Sequence, residues 1–163
     1  MTSRRHFLLT STGALAMLPW RALHAAPQAA ASAFEVTHTE QEWRKLLTPA
    51  QFAVLRESST ERAFTSPLND EHRSGRFSCA GCQLALFSSA KKFDSGTGWP
   101  SFWAPFDHAV IASTDRTFGM LRSSVSCRRC GGHLGHVFDD GPKPTGLRYC
   151  MNGAAMTFAP GAA

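Results

Sequence analysis

Cys127-Arg128-Arg129-Cys130-Gly131-Gly132-His133-Leu134-Gly135-His136-Val137-Phe138 carries the reading of the fold, taken with Cys79-Ala80-Gly81-Cys82 earlier in the chain. Two Cys-x-x-Cys pairs supply four thiolates, the ligand set of a closed tetrahedral zinc site. About 44 residues separate Cys82 from Cys127, longer than the spacer of a compact zinc ribbon. A shared ion would therefore join two distant strand-turns of one domain. Two other readings of the pairs stay open: a redox-active Cys-x-x-Cys at either one, or two structural disulfides. A four-thiolate site leaves no open position for substrate, so its role would be structural.

The texture around these pairs is that of β structure. From Arg62 onward Pro, Gly and Ser are frequent and apolar runs are short. Arg76–Ser78, Leu84–Phe87, Val110–Ala112, Met120–Val125, Val137–Phe138, Arg148–Met151 and Met156–Phe158 read as short strands, with a hairpin turn at Asp115-Arg116. Upstream, Thr39-Glu40-Gln41-Glu42 is a capping box, followed by Trp43, Leu46 and Leu47 on one helical face. Thr48-Pro49-Ala50-Gln51 repeats the start signal, with Phe52 and Leu55 as the apolar side of a second helix. The expected body is mainly β, behind two short N-terminal helices.

The fifth cysteine, Cys150, has no partner. It lies in Gly146-Leu147-Arg148-Tyr149-Cys150-Met151-Asn152, flanked by a cation that would favour the thiolate, and is a candidate nucleophile. His133 and His136 are alternative metal ligands, which four thiolates make unnecessary, or ordinary surface or core residues. Their closeness in sequence to a lone thiol and Arg148 favours a proton-donating or electrostatic role. In Asp94-Ser95-Gly96-Thr97-Gly98-Trp99-Pro100-Ser101-Phe102-Trp103, the glycines loosen the backbone and Pro100 fixes it again; core packing is the plain reading of Trp99. Asp139–Gly146 reads as a turn-rich connecting loop.

The first thirty residues have a different character. Arg4-Arg5, an apolar run from Phe7 to Leu18 and an Ala-rich stretch from Ala22 to Ala33 follow the order of an export signal, and resemble a bacterial twin-arginine leader. The apolar run is shorter than the roughly 20 residues that span a bilayer. The expectation is a leader and linker over 1–33, cleaved between Ala25 and Ala33, a domain over 34–163, and a periplasmic location without stable membrane insertion. Of the net charge of +5, Arg4, Arg5 and Arg21 belong to this leader, which holds no acid. The mildly basic remainder gives no reason to expect a nucleic-acid partner.

Taken together these stretches resemble the B-type methionine sulfoxide reductases. The likeness rests on Cys79–Cys82, Gly98-Trp99-Pro100-Ser101-Phe102, Cys127–Cys130, His133–Phe138, Asp140-Gly141-Pro142 and Arg148–Asn152. It implies two antiparallel sheets stapled by one structural zinc on Cys79, Cys82, Cys127 and Cys130, with the helices packed outside. It implies reduction of methionine-R-sulfoxide in proteins or peptides, with Cys150 as nucleophile. His133 and His136 would surround the sulfoxide oxygen, Trp99 would pack on the S-methyl group and Phe138 would form an apolar wall. Arg148 and Asn152 would tune and position thiolate and substrate. The sulfenic acid left on Cys150 would be recycled by a small thiol or a thioredoxin-like protein. Two positions depart from the family pattern: Thr97 stands where many members carry a resolving cysteine, and Gly153 stands where Ser is usual. Two other activities fit parts of the sequence, a zinc-stabilised binding module without chemistry and a thiol-disulfide oxidoreductase using a Cys-x-x-Cys pair.

Overall fold

A computed structural model describes residues 34–115 and 122–162. The expected leader, the Asp115-Arg116 turn beyond Asp115, and Met120-Leu121 lie outside these residues. The element order is α1 (Glu40–Leu46), α2 (Pro49–Glu57), β1 (Gly75–Cys79), β2 (Ala85–Ser88), β3 (Lys92–Phe93), β4 (Ser101–Phe102), β5 (Val110–Asp115), β6 (Arg122–Cys127), β7 (His133–Phe138), β8 (Arg148–Met151) and β9 (Met156–Pro160). Among the described residues no helix is long and apolar enough to cross a membrane.

Both helices start on the expected residues. Thr39 accepts from the Glu42 amide and Glu42 reaches back to Thr39, while Thr48 and Gln51 do the same at α2 with Pro49 in the first turn. These reciprocal bonds satisfy amides that the helices themselves leave open. Trp43, Leu47, Phe52 and Leu55 are buried as expected. Leu46 is not, being 60% exposed. The seven-residue helix ends there, and Leu47 turns inward from an extended backbone, so the apolar face passes from Trp43 to Leu47 without Leu46.

The strands form two antiparallel sheets, one ordered β2-β1-β9 and the other β3-β4-β8-β7-β6-β5. Along β1, Phe77 and Cys79 are buried and Arg76 is exposed, the alternation of a strand with one face inward. An aromatic cluster bridges the sheets. Phe102 of β4 stacks on Phe87 of β2 at 4.4 Å and meets Phe77 of β1 edge-on at 4.9 Å, and all three are fully buried. Three such rings contribute area burial plus about 0.5–1.5 kcal/mol per well-oriented pair. The two-residue strands β3 and β4 carry no periodicity that a sequence reading can register. The His133-Leu134-Gly135-His136 segment is strand as well, so β7 begins four residues earlier than expected.

Candidate active site and metal centre

Pairing across the six-stranded sheet lines up one row of side chains. Ser101 of β4 is opposite Cys150 of β8, Cys150 is opposite His136 of β7, and His136 is opposite Ser124 of β6. Directly paired residues project from the same face, so the thiol lies between a hydroxyl and an imidazole. Gly135 lets β8 come this close: a Cβ there would collide with the Cys150 carbonyl oxygen.

His133 and His136 are three apart, a spacing that in a regular strand sends side chains to opposite faces. A β-bulge corrects this. The β6–β7 register shifts between Val125 and Ser126, so that Ser126 pairs with His133 while Val125 pairs with Gly135. The two imidazoles then meet edge-to-face with centroids 5.3 Å apart. His133 is buried and its Nδ1 lies 3.2 Å from the Ser124 hydroxyl.

A cavity of about 120 Å³ opens over the row, lined by Thr60, Trp99, Gly135, His136, Phe138, Cys150 and Asn152. Five of the residues singled out from the sequence thus surround one small space. His133 and Arg148 do not line it but touch residues that do, His133 against His136 and Arg148 against Phe138. Arg148 grips Asp140 with two bonds of 2.8 Å and lies over the Phe138 ring at 4.4 Å, holding that ring as a wall. This bond lowers the Asp140 carboxyl and raises the Arg148 guanidinium. The sequence reading gave Arg148 the task of favouring the thiolate. Two of its five N–H donors go to Asp140, and its charge still draws the Cys150 thiol down, but burial wins: the thiol is pushed up, with Thr97, Arg148 and Ser101 opposing.

Glu61 ties the pocket together and was invisible in the sequence, where it is one acid in a polar stretch. Its carbonyl accepts the Trp99 indole N–H at 3.1 Å, and its amide donates to Asn152 Oδ1 at 2.9 Å. Its carboxylate accepts the Gly153 and Ala154 amides, the latter at 2.9 Å. Asn152 also donates to the Leu134 carbonyl at 3.1 Å. With the indole nitrogen bonded, Trp99 offers the cavity an apolar face. Gly153, the unusual residue at its position, has a local reason: a Cβ there would collide with the Ser66 hydroxyl. A larger groove of about 580 Å³ runs along α2 past Ser66 and Gly153, but no cysteine or histidine lines it.

The four remaining cysteines converge. Cys79, Cys82, Cys127 and Cys130 place their sulfurs within 4.8 Å of one another. The contacts run between the pairs, Cys79 to Cys130 at 3.7 Å and Cys82 to Cys127 at 3.5 Å. A disulfide needs about 2.05 Å. A tetrahedral ion with Zn–S of about 2.3 Å has edges of about 3.8 Å, so the donor set fits zinc. As bare thiols the four contend for protons: hydrogen bonds from Cys130, Cys79 and Cys82 pull Cys127 far down, while those with Cys127, Cys130 and Cys82 push Cys79 far up. A dication would remove that contest by binding all four as thiolates. Each pair closes a matching turn, with Gln83 donating back to Cys79 and Gly131 to Cys127, both in the left-handed region. Cys79 ends β1 and Cys127 ends β6, so an ion here would staple the two sheets. The helices cover this centre. Trp43 and Leu55 lie against Gly81, and Arg56 donates to the Cys130 carbonyl at 3.2 and 3.3 Å.

A domain family described as SelR domain matches residues 47–160. A protein of Thiobacillus denitrificans named peptide methionine sulfoxide reductase MsrB is 54% identical over 75% of this chain and 93% of its own length. Proteins of the same name from Bradyrhizobium diazoefficiens and Leptospira interrogans are 52% and 48% identical over 77% of this chain, covering 91% and 96% of their lengths. The chain belongs to the MsrB family, characterised by the SelR domain.

Proposed function

We propose that this chain reduces methionine-R-sulfoxide in proteins and peptides to methionine, with Cys150 as the nucleophile. The observation that carries the reading is the placement of Cys150 in the small cavity with Trp99 and Phe138 as apolar walls and His136 directly across the strand pair. The relatives' names support methionine sulfoxide in peptides as the substrate class. The S-methyl group rests on the Trp99 face, which brings the sulfoxide sulfur to Cys150 Sγ and its oxygen toward His136. The thiolate attacks sulfur and forms an S–S bond while His136, backed by His133, protonates the oxygen. The hydroxyl then shifts to the Cys150 sulfur, and the S–O and S–S bonds to methionine break with an electron pair left on its sulfur. Protonation matters because it makes the sulfur electrophilic and neutralises the developing oxyanion. Methionine leaves, and Cys150 holds a sulfenic acid.

Recycling then calls for a thiol from outside. The nearest side chain in the family's resolving position is the Thr97 hydroxyl, 3.8 Å from Cys150 Sγ, and it cannot form a disulfide. A small thiol or a thioredoxin-like protein attacks the sulfenic acid, water leaves, and a second thiol releases Cys150. Cys79, Cys82, Cys127 and Cys130 hold one structural zinc and take no part in the reaction.

Residues 1–33 serve as a twin-arginine leader, removed before the domain at 34–163 works in the periplasm. The Arg4-Arg5 pair, the short apolar run and the alanines support this, as does a SelR match that begins only at residue 47. Folding and metal loading before export would protect the zinc thiols from an oxidising compartment.

The direct assay gives the protein dabsyl-Met-R-sulfoxide and, separately, its S epimer, with dithiothreitol as reductant. The R epimer should be consumed and the S epimer left. Reduction of the S epimer alone, or of neither, would refute the proposal.

A further inference from the structure

The reaction outlined above uses the imidazole side of Cys150 and leaves a set of hydroxyls beside the thiol without a task. Cys150 Sγ lies 3.8 Å from Thr97 Oγ1, which lies 2.8 Å from Ser95 Oγ. Ser95 Oγ is 2.7 Å from the fully buried Ser101 Oγ, which donates to the Trp99 carbonyl at 3.1 Å. The series runs from the reacting sulfur to the backbone of the residue that walls the pocket.

Each hydroxyl has one proton, and a carbonyl can only accept. With Cys150 as a thiol, the bonds have one consistent order: S–H to Thr97, Thr97 to Ser95, Ser95 to Ser101, and Ser101 to the Trp99 carbonyl. Ionised Cys150 has no proton to give and needs donors. The order then reverses: Ser101 donates to Ser95, Ser95 to Thr97, and Thr97 to the thiolate. The S–H proton passes to water on ionisation, the three hydroxyls keep theirs and only rotate, and the Trp99 carbonyl gives up one bond. Ser95 tolerates either order, since it donates once and accepts once among the hydroxyls while also accepting the Thr97 amide at 3.5 Å.

We infer that Thr97 is a catalytic residue that donates a hydrogen bond to the Cys150 thiolate, and that Ser95 and Ser101 are positioning residues whose reversal makes its proton available. The inference rests on Cys150 as the nucleophile. It gives the buried sulfur a stabilising partner in addition to Arg148, whose Nε and Nη2 bond Asp140. Burial pushes the thiol up, and the Thr97 hydrogen bond draws it back, together with Arg148 and Ser101. A hydrogen bond to a charged acceptor is stronger than one between neutral groups, so the series favours the ionised state.

The test is the pH dependence of Cys150 alkylation by iodoacetamide in zinc-loaded protein, followed by intact mass with Cys150→Ser as the blank. Thr97→Val keeps the shape and removes the donor. It should slow alkylation at neutral pH roughly tenfold and move the midpoint to higher pH. Thr97→Ser should restore both, and Ser95→Ala should shift the midpoint the same way by less. A purely structural role would alter the melting temperature and leave the midpoint in place. An unmoved midpoint in Thr97→Val, or no rescue by Thr97→Ser, would overturn the inference. The readout needs no sulfoxide, so a wild-type protein inactive on both epimers would remove the proposed function without deciding this point.

Discussion

A Cys150→Ser protein is expected to fold as the wild type does and to turn over no methionine-R-sulfoxide. The change replaces sulfur by oxygen in a site already surrounded by hydroxyls, with Thr97 in contact and Ser101 opposite on β4. Packing is therefore conserved. Chemistry is not: a serine hydroxyl is almost wholly un-ionised at neutral pH and a far weaker nucleophile than a thiolate. His136→Ala should keep the thiol and lose the proton donor, lowering the rate by about 10²–10⁴. Near-wild-type turnover by Cys150→Ser would reject the whole account, since the remaining thiols are gathered at the metal centre.

The second large effect concerns stability. Cys82→Ser removes one of four ligands from the only cluster of this kind among the described residues, at the junction of β1 and β6. Apparent zinc-binding energies of structural four-ligand sites are about 10–16 kcal/mol, several times any single side-chain contact in this fold, and binding energy there is folding energy. Purified wild-type protein should hold about one zinc per chain. The variant should lose zinc, solubility and melting temperature together. A variant that gives up its zinc and melts with the wild type would show that the aromatic cluster and helix packing hold the sheets unaided.

Much of this molecule was legible from residue order because its signals are local. The capping boxes at Thr39 and Thr48 act over three residues, and the strands around Phe77, Phe87 and Tyr149 show themselves by apolar content. The two thiol pairs carry their meaning in their spacing, and their convergence at 3.5–3.7 Å bears out one centre over two disulfides. What was not legible depends on residues brought together from afar. The bulge at Val125-Ser126 that turns His133 and His136 to one side has no mark in the sequence of β7. Glu61 reaches Trp99, Asn152 and Gly153 across at least 38 residues of chain. The pairing of Arg148 with Asp140 links two residues eight apart whose contact no local pattern announces. Leu46 failed because helix period alone does not say where a short helix stops.

The most direct test of Cys150 as the sole redox thiol is a single turnover without reductant. Zinc-loaded protein is given one equivalent of methionine-R-sulfoxide in the presence of dimedone, then analysed by mass spectrometry and for released metal. The expected result is about one methionine per chain, a dimedone adduct on Cys150, and zinc retained. An internal disulfide from Cys150 to Cys79, Cys82, Cys127 or Cys130, with zinc released, would contradict it.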